Sequence, residues 1–190
     1  MHALFFEVRP KPGHLAHYFD HVARLRPLLE QHTGLKFLDR YSALSDSDLL
    51  LSHQLWESED AIINWRKDAT HRRSQSAGRQ VHFADYRIRV GARVLHWTPA
   101  AQDAPTTTAT VCDVPHVVAL YSTEPVIAAP FAAFESVNTN GKFITLATQE
   151  DYTAARALLD KSLGAPGLDQ AAIYSIRRDY GQFDRTQAPM

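Results

Sequence analysis

Residues 55–90, "LWESEDAIINWRKDATHRRSQSAGRQVHFADYRIRV", hold a strand end, two helix starts and a new strand in one short run. Ser58 stands where a helix N-cap belongs, and Glu59 and Asp60 follow in the first turn, where the positive end of the helix dipole favours acids. Asp68 caps a second short helix that runs to about Gln75 and is stopped at Gly78. The alternation of "DYRIRVGARVLHW" (85–97) then reads as a long strand. Toward the N-terminus, "LLLSHQLW" (49–56) and "LKFLDRYSAL" (35–44) are strands joined by the turn "SDSD" (45–48). His14 to about Gln31 is an amphipathic helix with Leu15, Tyr18, Phe19, Val22, Leu25 and Leu29 on one face and Pro27 opposite. "ALFFEVRP" (3–10) is the opening strand, ended by Pro and Gly. The order β-α-β-β-α-β is the ferredoxin-like arrangement.

Beyond Trp97 the pattern breaks and partly returns. Residues 98–111, "TPAAQDAPTTTATV", lack hydrophobic periodicity and read as a linker. It separates an N-terminal domain, 1–97, from a shortened second half, 112–190. There "HVVALYS" (116–122) reads as a strand and 131–148 as a hairpin turned at Asn140-Gly141. A helix over 149–161 is capped by Thr148 with Asp151 three residues on, and "AIYSIRRDYGQF" closes with a strand. Tyr86-Arg87-Ile88-Arg89 recurs as Tyr174-Ser175-Ile176-Arg177, and Glu59-Asp60 as Glu150-Asp151, which suggests a worn internal duplication. Residues 122–130 are too short to repeat the long first helix.

Bulk properties narrow the class. With 45% hydrophobic and 22% charged residues, the composition is that of a folded globular protein. A net charge of −1, with both signs interspersed, argues against a nucleic-acid partner, whose binding rests on concentrated Lys and Arg. The lone Cys112 forbids an intramolecular disulfide and fits a reducing compartment. No run approaches the roughly 20 apolar residues of a membrane span, and the N-terminus lacks the features of a signal peptide. The expectation is a soluble cytoplasmic protein with no membrane partner.

Residues 55–90, with a strand ending in Trp56, then Trp65-Arg66, His71, Gln75, Gly78-Arg79 and Tyr86, resemble the antibiotic biosynthesis monooxygenase superfamily. The resemblance covers the first hundred residues and extends to the second half by topology. It implies an α+β fold in which ferredoxin-like sheets pair face to face in a dimeric α+β barrel. Here the second half supplies the partner sheet, so tandem βαββαβ repeats form an intramolecular pseudo-dimer. Such a chain is a monomer, or a homodimer if strand edges stay exposed.

The resemblance also implies an activity: cofactor-independent oxygenation, with O2, of a small aromatic or quinol-like substrate. A deprotonated substrate itself donates the electron, and the protein supplies an apolar cavity, hydrogen-bond donors and a base. Trp65 is where relatives place a tryptophan beside the cavity, although its spacing from Ile62 also fits a packing aromatic. His71, near a helix N-terminus, is held neutral, the form a base needs, and also fits a capping role. Arg79 either pairs at the surface or holds an acidic substrate, and Tyr86 opens the last strand. Alternating strands can line the cavity from a barrel-facing side: Phe5 and Glu7 share one face of the first strand and Leu51 and His53 a face of the third, and the alternation alone does not fix which faces look into the cavity. The candidate set is thus Trp65, His71 and His53 for catalysis, with Phe5, Glu7, Gln75, Arg79 and Tyr86 for substrate.

Two alternatives accompany this reading. A heme-degrading branch of the superfamily carries its axial histidine about ten residues after the tryptophan, where this chain has Gln75, so heme is the lesser reading. A non-catalytic binding barrel is the other. His14, His17 and His21 share a helix face and need a fourth converging ligand to make a metal site; nothing like HExxH accompanies them, and no metal is expected.

Overall fold

The computed structural model describes residues 1–101 and 113–189. The N-terminal half runs β1 (His2–Pro10), α1 (Leu15–Glu30), β2 (Leu35–Ala43), β3 (Asp46–Trp56), α2 (Glu59–Lys67), α3 (Ala69–Ala77) and β4 (Phe83–Trp97). The second half runs β5 (His116–Ser122), β6 (Ala132–Ser136), β7 (Phe143–Gln149), α4 (Tyr152–Ser162) and β8 (Leu168–Gly181). Of the expected linker, Pro99–Ala101 form a short 3-10 turn; residues 102–111, and Cys112, lie outside the described residues.

These eight strands close a barrel in the order β1-β3-β2-β6-β7-β5-β8-β4. Each half contributes a four-stranded antiparallel sheet with its first and third strands central: β4-β1-β3-β2 and β8-β5-β7-β6. The long seam joins β4 to β8, from Arg87 opposite Gly181 to Trp97 opposite Ala171. The short one joins β2 to β6 at Tyr41–Ser136, Ser42–Glu135 and Ala43–Phe134. The chain is therefore the tandem ferredoxin-like pseudo-dimer, and closure gives every strand a neighbour on both sides, although β2 meets β6 only along Tyr41–Ala43.

Most barrel strands bury both faces; β2 buries only its inner one, at Tyr41 and Ala43. Inside, Phe5, Tyr41 and Leu51 of the first half meet Phe134, Ile144 and Tyr174 of the second. Outside, α4 covers the second sheet, with Ala155 and Leu159 on Leu95, Val118, Leu120 and Ile173. The first sheet is roofed by α1, α2 and α3. Tyr18, Val22, Leu25 and Leu29 of α1 pack inward. The contact stripe is narrower than the hydrophobic face, since Leu15 and Phe19 on its flank are 46% and 37% exposed.

Local chemistry sets the helix boundaries. The Ser58 hydroxyl accepts from the Ala61 N–H at 3.2 Å, and the Asp68 carboxylate from the His71 N–H at 2.8 Å, so Asp68 ends α2 and opens α3. Gly78 does not stop the chain. It keeps right-handed helical dihedrals and leads into a wider π turn, residues 78–82. A side chain there would lie 2.4 Å from the Phe83 ring, so glycine serves a close approach and not a reversal. Gly141, by contrast, has φ +71° in the β6–β7 turn, as Asn-Gly implies.

Two details of the expected repeat are corrected. The α4 cap is Asp151, whose carboxylate accepts from Ala154 N–H, because Thr148 is still paired in β7 with Val117. Asp151 thus matches Ser58, and the two Glu-Asp pairs are out of step. The recurring Tyr-x-Ile-Arg also fails as an equivalence. Tyr86 and Ile88 face the helices, whereas Tyr174 and Ile176 face the barrel interior. The duplication lies in the topology, and residues 122–130 hold no helix.

Candidate functional site

A largely apolar cavity lies between the first sheet and its helices, outside the barrel. Leu4 and Phe6 of β1, Ser52 and Gln54 of β3 and Ile88 and Val90 of β4 form its floor. Tyr18, Val22 and Leu25 of α1, with Ile62 and Trp65 of α2, form the roof. β8 and the residues after it close one side with Arg178, Tyr180, Arg185 and Pro189. This tail is tied down across the halves: Arg66 Nε donates to the Pro189 carbonyl at 3.1 Å, and Arg185 donates to the Tyr86 hydroxyl at 2.6 Å.

Five of the eight candidate residues meet here: Trp65, His71, Gln75, Arg79 and Tyr86 all line the cavity. The His71 and Trp65 rings stack, with centroids 4.3 Å apart and planes at 17°. His71 Nδ1 lies 2.9 Å from the Trp65 carbonyl, which can only accept, so Nδ1 carries the proton. Nε2 then holds the lone pair, and the Gln75 amide nitrogen lies almost equally far from both ring nitrogens, 3.2 Å from Nδ1 and 3.3 Å from Nε2, so it sits against the ring and not in line with that lone pair. Burial lowers the His71 pKa to about 4, outweighing the opposing pulls of the Trp65 carbonyl and the Asp68 charge. The ring is neutral near pH 7. Trp65 is both packing and wall, since it is 4% exposed and touches the cluster of Leu29, Trp56, Ile62 and Val90.

The other three candidates sit elsewhere. The barrel-facing side, where the sequence reading places Phe5, Glu7 and His53, is the packed interior; the cavity is on the opposite face. His53 stacks on Phe5 at 4.7 Å. Its Nδ1–H donates to the Leu4 carbonyl at 3.3 Å, and its Nε2 accepts from the Tyr121 hydroxyl at 2.8 Å. Burial lowers its pKa to about 4. Glu7 forms an ion pair with the buried Arg89, which also donates to Thr148 of the second half at 2.7 Å.

Several wall residues escaped the sequence reading: Tyr18, Arg40, Arg66, Arg178, Tyr180 and Arg185. A signal existed for the floor, because Ser52 and Gln54 are polar at period two within "LLLSHQLW". They form a buried chain in which Trp56 Nε1 donates to Gln54 at 3.0 Å and Gln54 to Ser52 at 3.4 Å. No local signal marks Arg178 or Arg185, which arrive from the far half of the chain. The histidine row on α1 does gain a neighbour: His82 Nδ1 is 3.0 Å from His14 Nδ1, and its ring lies 5.0 Å from that of His17. Even so, no group of three among the described residues is arranged to hold a metal ion.

Comparison with known proteins agrees with the fold. Residues 1–77 match the family model of antibiotic biosynthesis monooxygenase. A Pyricularia oryzae protein named jasmonate monooxygenase ABM is 29% identical over 216 aligned positions, spanning all of this chain and 97% of its own length. Among solved structures, aldoxime dehydratase is similar with a TM-score of 0.52 at 8% identity, covering 92% of this chain and 80% of that one. An anthrone oxidase-like protein aligns over 100% of this chain and 96% of its own, with a TM-score of 0.42 at 10% identity. Among the described residues no helix is long and apolar enough to cross a membrane.

Proposed function

Because residues 1–77 match the antibiotic biosynthesis monooxygenase family model, we propose that this chain is a cofactor-independent monooxygenase of that kind. It takes a small, ring-bearing phenolic or enolisable substrate, aromatic or quinol-like, together with O2. The observation that carries this reading is the apolar cavity into which Trp65, His71 and Gln75 converge, within the half that matches the family.

The chemistry needs no external reductant if a ring methylene becomes a carbonyl. One O2 is consumed: one of its oxygen atoms enters the substrate as the carbonyl, and the other leaves as water with the two methylene hydrogens. His71 Nε2 takes a proton from the substrate. Trp65, stacked on the ring, favours the imidazolium so formed through its π face. The substrate anion, held beside the cavity arginines, passes one electron to O2 and recombines with it through a new C–O bond. The imidazolium returns its proton to the peroxide. Loss of the second C–H proton with O–O cleavage releases water. The name of the Pyricularia oryzae relative points to a cyclopentanone acid, whose C–H groups beside the ring carbonyl are acidified in the same way.

The test is O2 consumption by the purified protein against a panel of anthrones, quinols and jasmonate, with His71→Ala and Trp65→Phe as controls. Both variants should fold and lose at least ten-fold in kcat/KM. In the parent, kcat/KM should stay level from pH 7.5 to about 5 and fall toward pH 4, as the free-enzyme base protonates near its lowered pKa. No uptake with any compound, or full activity in His71→Ala, refutes the assignment.

A further inference from the structure

The charges around the cavity are lopsided. Arg40, Arg66, Arg79, Arg178 and Arg185 line it, against one acid, Glu59. Yet the whole chain carries a net charge of −1. Glu59 is already taken, since Arg178 Nε donates to it at 2.6 Å. Arg66 is turned to the Tyr180 hydroxyl and the Pro189 carbonyl, and Arg185 to the Tyr86 hydroxyl. These contacts anchor the closing side.

Arg40 differs from them. It rises from the helix-facing side of β2, its side-chain partner is the hydroxyl of buried Tyr18, and no carboxylate lies within ion-pair distance among the described residues. Its Nε is buried with no hydrogen-bond acceptor. A guanidinium donor shut away from water and left unpaired is costly, and a bound anion removes that cost. Directly across the ladder stands Ser52, 3% exposed, which brings a hydroxyl to the same end of the cavity. The remaining walls offer apolar surface for the body of a ligand.

We infer that the ligand of this cavity is an organic monoanion, an apolar ring or short chain bearing a carboxylate, with Arg40 as the partner of that carboxylate. The Arg40 guanidinium donates to the carboxylate oxygens, and the hydroxyls of Ser52 and Tyr18 complete the shell. The acid group is thereby fixed at the β2 end of the cavity, and the apolar body extends past Phe6 and Ile88 toward Trp65 and His71. Arg40 selects the substrate and holds it; it takes no part in proton transfer. The inference rests on reading this cavity as the substrate site, but not on turnover.

The test is calorimetric titration under anaerobic conditions, comparing each of two acids with its neutral methyl ester. Jasmonate and 1-naphthylacetate serve as the acids. Wild-type protein should bind at least one acid ten-fold or more tightly than its ester. Arg40→Met should abolish that preference while leaving ester affinity within about two-fold, and Arg40→Lys should restore part of it. If the esters bind as well as the acids, or no acid binds, the inference falls. It falls equally if Arg40→Met, shown folded by its melting curve, keeps the preference. Should Arg40→Met not fold, Arg40→Gln and the wild-type acid–ester comparison decide. Acid preference without any O2 uptake would sink the monooxygenase assignment and leave this one standing; O2 uptake with uncharged substrates alone would do the reverse.

Discussion

Two histidines with the same lowered pKa do different things. His71 stands in the cavity wall, while His53 is enclosed in the barrel between Phe5 and Tyr121, with both ring nitrogens hydrogen-bonded. Each is neutral when folded and has a pKa of about 4, against 6.5 for the ordinary side chain. Between those values the unfolded chain binds more protons than the folded one, so stability falls as pH drops from 6.5 toward 4 and is fully present above 6.5. For fully buried His53 this amounts to roughly 3 kcal/mol across the window. His53→Gln removes the titration, so its melting temperature should fall less steeply than the parent's between pH 6.5 and 4. Parallel curves would show that His53 is not the buried neutral group described. The sequence made both histidines candidates, but no local pattern separates one that lines a cavity from one that fills a core. For His53 the outcome is set by which face of β3 looks outward, and both faces of that strand are buried around it.

Elements were more legible than faces. The cap residues Ser58 and Asp68, the Asn140-Gly141 turn and the alternation of the strands mark their elements because each acts through neighbours in sequence. In β1, Leu4, Phe6 and Val8 alternate with Ala3, Phe5 and Glu7, and apolar side chains on both sides conceal which row meets the helices. The Tyr-x-Ile-Arg recurrence misled for the same reason. What lay beyond reach was the tail after β8, whose role depends on contacts such as Arg185–Tyr86 across 99 positions. It places part of the second half in the wall of a site whose sequence candidates all lie in the first half. Arg185→Ala should therefore loosen one side of the cavity while sparing the barrel. A bound ligand should dissociate several-fold faster in stopped-flow measurements, with little change in melting temperature. An unchanged off-rate would mean that the tail lies against the cavity without retaining its contents.

At the level of the whole molecule, one chain does the work of two sheets. The interior is shared: Phe5, Tyr41 and Leu51 from the first half pack in one cluster with Phe134, Ile144 and Tyr174 from the second. Arg89 reaches across to Thr148, and the two seams close the ladder on both sides. The half that lacks a counterpart to α1 thus still determines whether the half with the cavity stays folded. This coupling predicts a single unfolding transition. Phe134→Ala removes a side chain that is 1% exposed, far from the cavity and in the other half. It should cost about 3–5 kcal/mol. Trp56 and Trp65 lie under the helices of the first half, whereas Trp97 packs with α4 and the second sheet, so the comparison is made in a Trp97→Phe background, where fluorescence reports on the first half. In the variant, the fluorescence and far-UV circular dichroism transitions in denaturant should move together to lower concentration. If the tryptophan transition stays where it was while the circular dichroism splits in two, the halves fold independently and the shared interior contributes little to either.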